Sequence, residues 1–236
     1  MNKKLLCLLL CAGMVLSLGS AAFADAESES KPSDLPDIDI TSWEYMLANE
    51  YNSVGPYVAQ DVSYFYGQGI DSRVYDAAVE MIEDCRAEGY PCYIVSANRD
   101  WNWCMANAQT IMKYYYDDDP VRYAENTTAP GCNEHQLGLA FDITANMGYS
   151  DNYDGIVAPM DEEAKDSDTW HWLEEHCAEY GFIVRYPEGK EEYYGVACNP
   201  THLRYVGKEA AEYITENNLC LEEFLMLYGV KVNLPK

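Results

Sequence analysis

The segment CNEHQLGLAFDI, residues 132–143, sets a histidine, His135, seven positions before an aspartate, Asp142, among small and apolar side chains. An imidazole and a carboxylate are both donors to a divalent cation such as zinc, and together they make half of a metal site. By themselves they are weak evidence, because a loop histidine and a strand aspartate meet by chance in many chains. A third donor has to come from elsewhere, so the elements that could carry one matter next.

In LGLAFDIT the apolar residues Leu139, Phe141 and Ile143 alternate, which predicts a strand with Asp142 on the opposite face beside Ala140 and Thr144. THLRYVG alternates in the same way and groups His202, Arg204 and Val206 on one face. A helix is expected from Ile70, capped by Asp71, carrying Val74, Ala78, Met81, Ile82 and Cys85 at helical spacing and ended by Gly89. CYIVSAN then reads as a buried strand. Asp100 caps a second helix with Trp101, Cys104, Met105, Ala108, Met112 and Tyr115 on one stripe, followed by an irregular acidic loop. DTWHWLEEHCAEYG is a third helix that stops at Gly181, FIVRYP is a strand, and the C-terminal end is helical. His171 and His176, five apart, do not share a helical face and are read as solvated. Strands and helices mix without β-α-β repetition, which predicts a single α+β domain.

The chain has 236 residues, 48% of them hydrophobic, enough for one sizeable core. Residues 1–24, with Lys3, Lys4, an apolar run and the small residues of AAFADA, are expected to be a signal peptide cleaved after Ala24. Cys11 lies in a poor lipoprotein signal. No other run approaches the ~20 apolar residues of a membrane span, so a soluble product outside the cytoplasm is expected. Residues 25–40 are acidic and carry two prolines, as a disordered linker would, leaving 41–236 as the domain, its first thirty residues aromatic-rich and irregular. The leader takes two lysines and no acid, so the formal charge moves from −25 to −27. Such an excess argues against a nucleic-acid or anionic-membrane partner, which needs clustered lysine and arginine.

Seven of the nine cysteines lie beyond residue 24: Cys85, Cys92, Cys104, Cys132, Cys177, Cys198 and Cys220. In an oxidising compartment most should pair, and the odd count leaves one over. Cys85 and Cys92, on either side of AEGYP, are the best single pair. No C-x-x-C is present.

NEHQLGLAFDI is similar to the S-x-H-x-x-G-x-A-x-D motif of the VanY-type D-Ala-D-Ala carboxypeptidases, and NPTHLRYVG resembles that family's E-P-W-H-x-R-Y-V-G. IDSRVYDAAVEMIEDCRAEG resembles its first long helix, SANRD its S-G-Y-R-S segment, and YGFIVRYPEGKEEYYG the stretch before its last ligand. The resemblance implies a Hedgehog/DD-peptidase-like fold, a small, mainly antiparallel sheet flanked by helices. It implies one zinc per chain held by His135, Asp142 and His202, with Arg99 contacting substrate and the developing oxyanion. Ser96, Asn133, Gln136 and Thr201 would line the substrate site. The implied partner is a peptidoglycan stem peptide ending in D-Ala-D-Ala, met by a secreted, cell-wall-associated protein acting as a monomer.

The departures fall at the chemistry. The family's general base is the glutamate three residues before the last ligand, and that position is Asn199 here; the neighbouring tryptophan is Thr201 and the motif serine is Asn133. An amide cannot accept the proton of an attacking water. Glu134, Glu191 and Glu192 are not read as substitutes. Activity is therefore expected to be reduced, or replaced by binding of cell-wall peptide or a protein partner. Bringing His135 and His202 to one metal should also draw Cys132 and Cys198 together, as a disulfide or with Cys132 as a thiolate ligand.

Overall fold

The computed structural model describes residues 32–145, 166–196 and 198–235, and the expected signal peptide lies outside them. Its centre is a four-stranded antiparallel sheet of β3 (Tyr93–Ser96), β4 (Ala140–Thr144), β6 (Asn199–Tyr205) and β5 (Phe182–Tyr186), in that order. The sheet is mixed with helices within one compact unit, as expected. Among the described residues no helix is long and apolar enough to cross a membrane.

Strand alternation sorts the two faces. Phe141 and Ile143 of β4, Leu203 of β6 and Phe182 of β5 are buried in one apolar cluster with Val74, Ala78, Met81, Ile82, Trp170 and Leu173. Those partners come from α1 (Tyr75–Ala87) and α4 (Asp168–His176) and the residue preceding α1. The opposite face carries Asp142, His202, Arg204, Ile183 and Arg185. A second cluster forms there from Ile183 and Val206 with α6 (Lys208–Glu216) and α7 (Leu221–Leu227).

Several boundaries differ from the sequence reading. The first helix begins at Tyr75, because Gln68–Asp71 is β2, paired with β1 (Val62–Phe65) in an unforeseen hairpin. Its two-residue turn, Tyr66 and Gly67, has positive φ at both positions (48° and 84°), the type I′ geometry that suits strand twist. Asp71 is not the N-cap, which is Val74; its carboxylate accepts the Arg73 backbone N–H at 3.0 Å and the Arg73 guanidinium at 2.8 and 2.6 Å. The second helix, α2 (Trp101–Tyr115), is capped by Asp100 as expected, but Ile111 is its one buried residue, and Met105 and Tyr115 are exposed. Periodicity reports which face of a helix could be covered; whether a layer covers it is decided elsewhere. The acidic loop contains a short helix, α3 (Pro120–Asn126), capped by Asp119, and a further turn, α5 (Glu191–Tyr194), precedes β6. The linker reading fails from Pro32 onward: Leu35, Ile38 and Ile40 pack on the second cluster, and the Tyr228 hydroxyl donates to the Pro36 carbonyl.

Candidate metal centre

Asp142 of β4 and His202 of β6 are directly opposite each other in the antiparallel ladder. Both point to the non-apolar face, and the Asp142 Oδ1 to His202 Nδ1 distance is 3.0 Å. His135 arrives from a different kind of element, a single 3₁₀ turn, Glu134–Leu137, capped by the Asn133 side chain, which accepts the His135 N–H. The turn ends at Gly138 with φ 73°, where a Cβ would press on the Asp71 backbone at 3.2 Å, so glycine is required. Its own carbonyl accepts Asp71 N–H and fixes the turn to β2.

The His135 ring is pinned by a 2.8 Å contact between Nδ1 and the Ala97 carbonyl. A carbonyl can only accept, so Nδ1 carries the proton and Nε2 keeps its lone pair, 3.2 Å from Asp142 Oδ2. One donor atom from each of His135, Asp142 and His202 falls within a 4.8 Å group. Tetrahedral zinc with ligands at about 2.0–2.1 Å separates neighbouring donors by about 3.3 Å, and the 3.0 and 3.2 Å contacts, made by the two different oxygens of Asp142, are close to that separation. The two histidine side chains are nearly sealed, while that of Asp142 is 22% exposed, which leaves the centre open on one side.

Protonation suits cation binding at His135 and Asp142, while His202 must give up a proton to a cation. Burial, assisted by the nearby Arg99 guanidinium, pushes the His135 imidazole down to about 4, so it is neutral at physiological pH. Burial alone would raise the Asp142 carboxyl, but His135 and His202 outweigh it and hold it well below the usual range. Burial would lower His202, and Asp142 and Glu134 outweigh that and raise it.

Behind His202 lies a charge cluster that the sequence reading missed. Glu134, completely buried, accepts Arg185 Nε at 2.7 Å and Arg204 Nη1 at 2.8 Å, both on Oε1. Arg185 also grips Glu222 of α7 at 2.6 and 2.8 Å, and Arg204 donates to the carbonyls of Glu44, Met46 and Tyr205. Burial would raise the Glu134 carboxyl, and the two arginines outweigh it and hold it ionised. So placed, Glu134 has no proton affinity to act as a base. Two arginines on alternating, otherwise apolar strands were the available signal, since buried cations require buried anions.

The remaining expected residues scatter in role. Arg99 is tied to the site through its N–H to the His135 carbonyl, 3.0 Å, and its guanidinium lies 5.9 Å from the Trp103 ring centre. Ser96 pairs with Asp142 across β3 and β4. Gln136 is fully buried and its amide is occupied by Gly55, Tyr57 and Gly131, so it clamps the loop and has no atom exposed to a substrate. Asn199 Oδ1 accepts both the N–H and the hydroxyl of Thr201, at 3.2 and 3.0 Å, folding the side chain onto its own strand. His171 and His176 lie away from the centre against Glu174 and Glu179, and Glu191 and Glu192 are exposed on α5.

All seven described cysteines are thiols. Cys85 and Cys92 are buried in the same apolar cluster, close together as expected but not joined. Cys132 is not among the clustered donors. Its loop packs on Ser53 and Val54, and Cys198 lines a cavity with Cys177, Ile214 and Leu219.

A His-Asp-His set of possible metal donors with one open side sits on and beside the paired central strands of a small antiparallel sheet, an architecture of the DD-peptidase type. The chain belongs to the VanY D-alanyl-D-alanine carboxypeptidase family, whose profile matches residues 67–208 and so contains every residue of the donor set. It is 34% identical over 198 residues to a D-alanyl-D-alanine carboxypeptidase of Enterococcus faecalis, covering 79% of this chain and 67% of that protein. It is 31% identical to the putative carboxypeptidase YodJ of Bacillus subtilis, covering 77% of this chain and 64% of that one. The chain thus spans about two thirds of the length of these relatives. Among solved structures, VanYB in complex with D-alanine-D-alanine superposes with TM-score 0.61 at 31% identity, covering 78% of this chain and 98% of that one. A VanY D,D-pentapeptidase mutant in complex with Zn(II) gives 0.59 at 32% identity, with 78% and 99% coverage. The peptidoglycan-recognising LD-carboxypeptidase LdcB gives 0.63 at 28% identity, with 81% and 92% coverage.

Proposed function

We propose that this chain is an exported, monomeric, zinc-dependent carboxypeptidase of the cell wall, acting on peptidoglycan stem peptides that end in D-Ala-D-Ala, with activity reduced by Asn199. The donor set carries this reading: His135, Asp142 and His202 would hold one zinc, and a relative of the same fold is solved with Zn(II). Zinc bound there would polarise the scissile carbonyl and lower the pKa of a coordinated water to about 7.

The chain's own residues supply the rest. Arg99, held beside His135 by its backbone, would receive the negative charge of the substrate and of the developing oxyanion. Ser96, level with Asp142, Asn133 and Thr201 would border the peptide. At position 199 a neutral amide stands where a carboxylate would take the proton, and its oxygen is already engaged by Thr201. General-base help contributes about 10²–10⁴-fold, so its loss slows turnover without abolishing it.

The same observation favours a second reading, in which the chain binds cell-wall peptide or a protein partner without cleaving it. Offering zinc-loaded protein a D-Ala-D-Ala-ended pentapeptide, and an L,D-linked stem terminus because LdcB is an LD-carboxypeptidase, separates the two. Slow release of D-alanine supports the first reading, and saturable calorimetric binding without release supports the second. Absence of both would end the substrate assignment.

A further inference from the structure

We infer that Glu134 is a positioning residue for His202, its Oε2 receiving the Nε2–H of that ring so that the Nδ1 lone pair is presented beside Asp142. The inference rests on the proposed zinc site and deepens it.

His202 Nε2 and Glu134 Oε2 are 3.5 Å apart, and both are buried with no hydrogen-bond partner. The gap is about 0.5 Å beyond an ordinary N–H···O contact, so a small approach satisfies both atoms together. Glu134 is oriented for this. Both arginines bind Oε1, and neither uses Oε2, which is left facing the ring. The ring in turn is wedged between His135, edge-on at 4.9 Å, and Tyr186 at 5.1 Å, so its plane is set and only the position of its proton is open. Carboxylates face both ring nitrogens, Asp142 at Nδ1 and Glu134 at Nε2; once a cation takes up Asp142 and Nδ1, the carboxylate behind Nε2 holds the remaining proton, because it can only accept. The arrangement is a carboxylate–histidine pair of the kind that fixes ring orientation and raises ligand basicity in metal sites.

Simple charge balance would not need this geometry. Arg185 already holds Glu222 through both of that residue's oxygens, and Arg204 has three backbone carbonyls besides Glu134. Glu134→Gln tests the distinction with almost no change of shape. Its one oxygen would go to the arginines and its NH₂ would face His202 Nε2, a donor where an acceptor stood. The ring would then favour the proton on Nδ1, the atom that has to bind the metal.

The experiment measures the zinc dissociation constant by chelator competition in wild type, Glu134→Gln and Glu222→Gln, with thermal unfolding of the metal-free proteins alongside. Glu134→Gln should weaken zinc about 10–100-fold, while Glu222→Gln, which disturbs the same charge cluster without touching His202, should lower stability and leave zinc affinity within about threefold. Equal affinity in wild type and Glu134→Gln, or an equal loss in both variants, overturns the inference while leaving the zinc site standing. Should Glu134→Gln not fold, ¹⁵N ring shifts of His202 in zinc-loaded wild type decide it: protonated Nε2 with metal on Nδ1 is expected, and the reverse overturns it. A wild type that binds no zinc overturns the site reading, and this inference with it.

Discussion

Asp142 and His202 are cross-strand partners, Cα opposite Cα in the β4–β6 ladder, with Oδ1 and Nδ1 3.0 Å apart. Two of the three proposed ligands are therefore set by strand register, and a slip of one residue would turn either of them to the apolar face. We expect purified protein to carry about one zinc per chain, and His202→Ala and Asp142→Asn to lose it with the fold intact, as read by metal analysis and circular dichroism. Retention of zinc by either variant would place the ion elsewhere.

Asn199→Glu should raise D-alanine release on the order of 10²-fold. Asn199 also closes a turn onto Thr201, which a longer glutamate cannot reproduce, so Asn199→Glu with Thr201→Trp is the fuller test. Native activity matching a glutamate-bearing relative and unchanged by Asn199→Ala would mean that another group takes the proton.

Arg185 sits at the junction of the charge cluster, between Glu134 and Glu222, with none of its side chain exposed. Arg185→Leu strips the main cation from Glu222 and one of two from Glu134, and should cost about 3–5 kcal/mol in urea unfolding, as removal of one partner from a buried ion pair does. A loss below about 1 kcal/mol, the range of exposed pairs, would mean that water reaches the cluster.

Thiol reactivity should divide by burial. Burial pushes the Cys177 and Cys220 thiols up to about 12, so at pH 8 their thiolate fraction is about 10⁻⁴. Iodoacetamide at that pH should label half-buried Cys132 first and reach Cys177 and Cys220 only after denaturation. Rapid labelling of Cys177 in folded protein would contradict its placement.

Because Cys85 and Cys92 are in contact, protein recovered from an oxidising medium should show them joined in a non-reducing peptide map. Recovery of both as free thiols would remove the expectation of a structural disulfide.

The sequence by itself determined the α+β class, the alternation of LGLAFDIT and THLRYVG, and the direction in which Asp142 and His202 point, because side-chain direction in a strand follows from a period of two. It determined the family through motifs whose order and spacing are local properties of the chain, and it set Asn199 three residues before His202. Tertiary structure alone decided the rest. The β1–β2 hairpin depends on a Tyr-Gly turn with an unusual positive φ, which composition does not reveal. The exposure of α2 depends on what packs beside it. Glu134 looked like one acid among many, and its place behind His202 follows only when β5, β6 and α7 bring Arg185, Arg204 and Glu222 together from 37 to 70 residues apart in sequence. Long-range pairing of charges leaves no periodic trace in the chain, because the partners are chosen by the fold and not by their spacing.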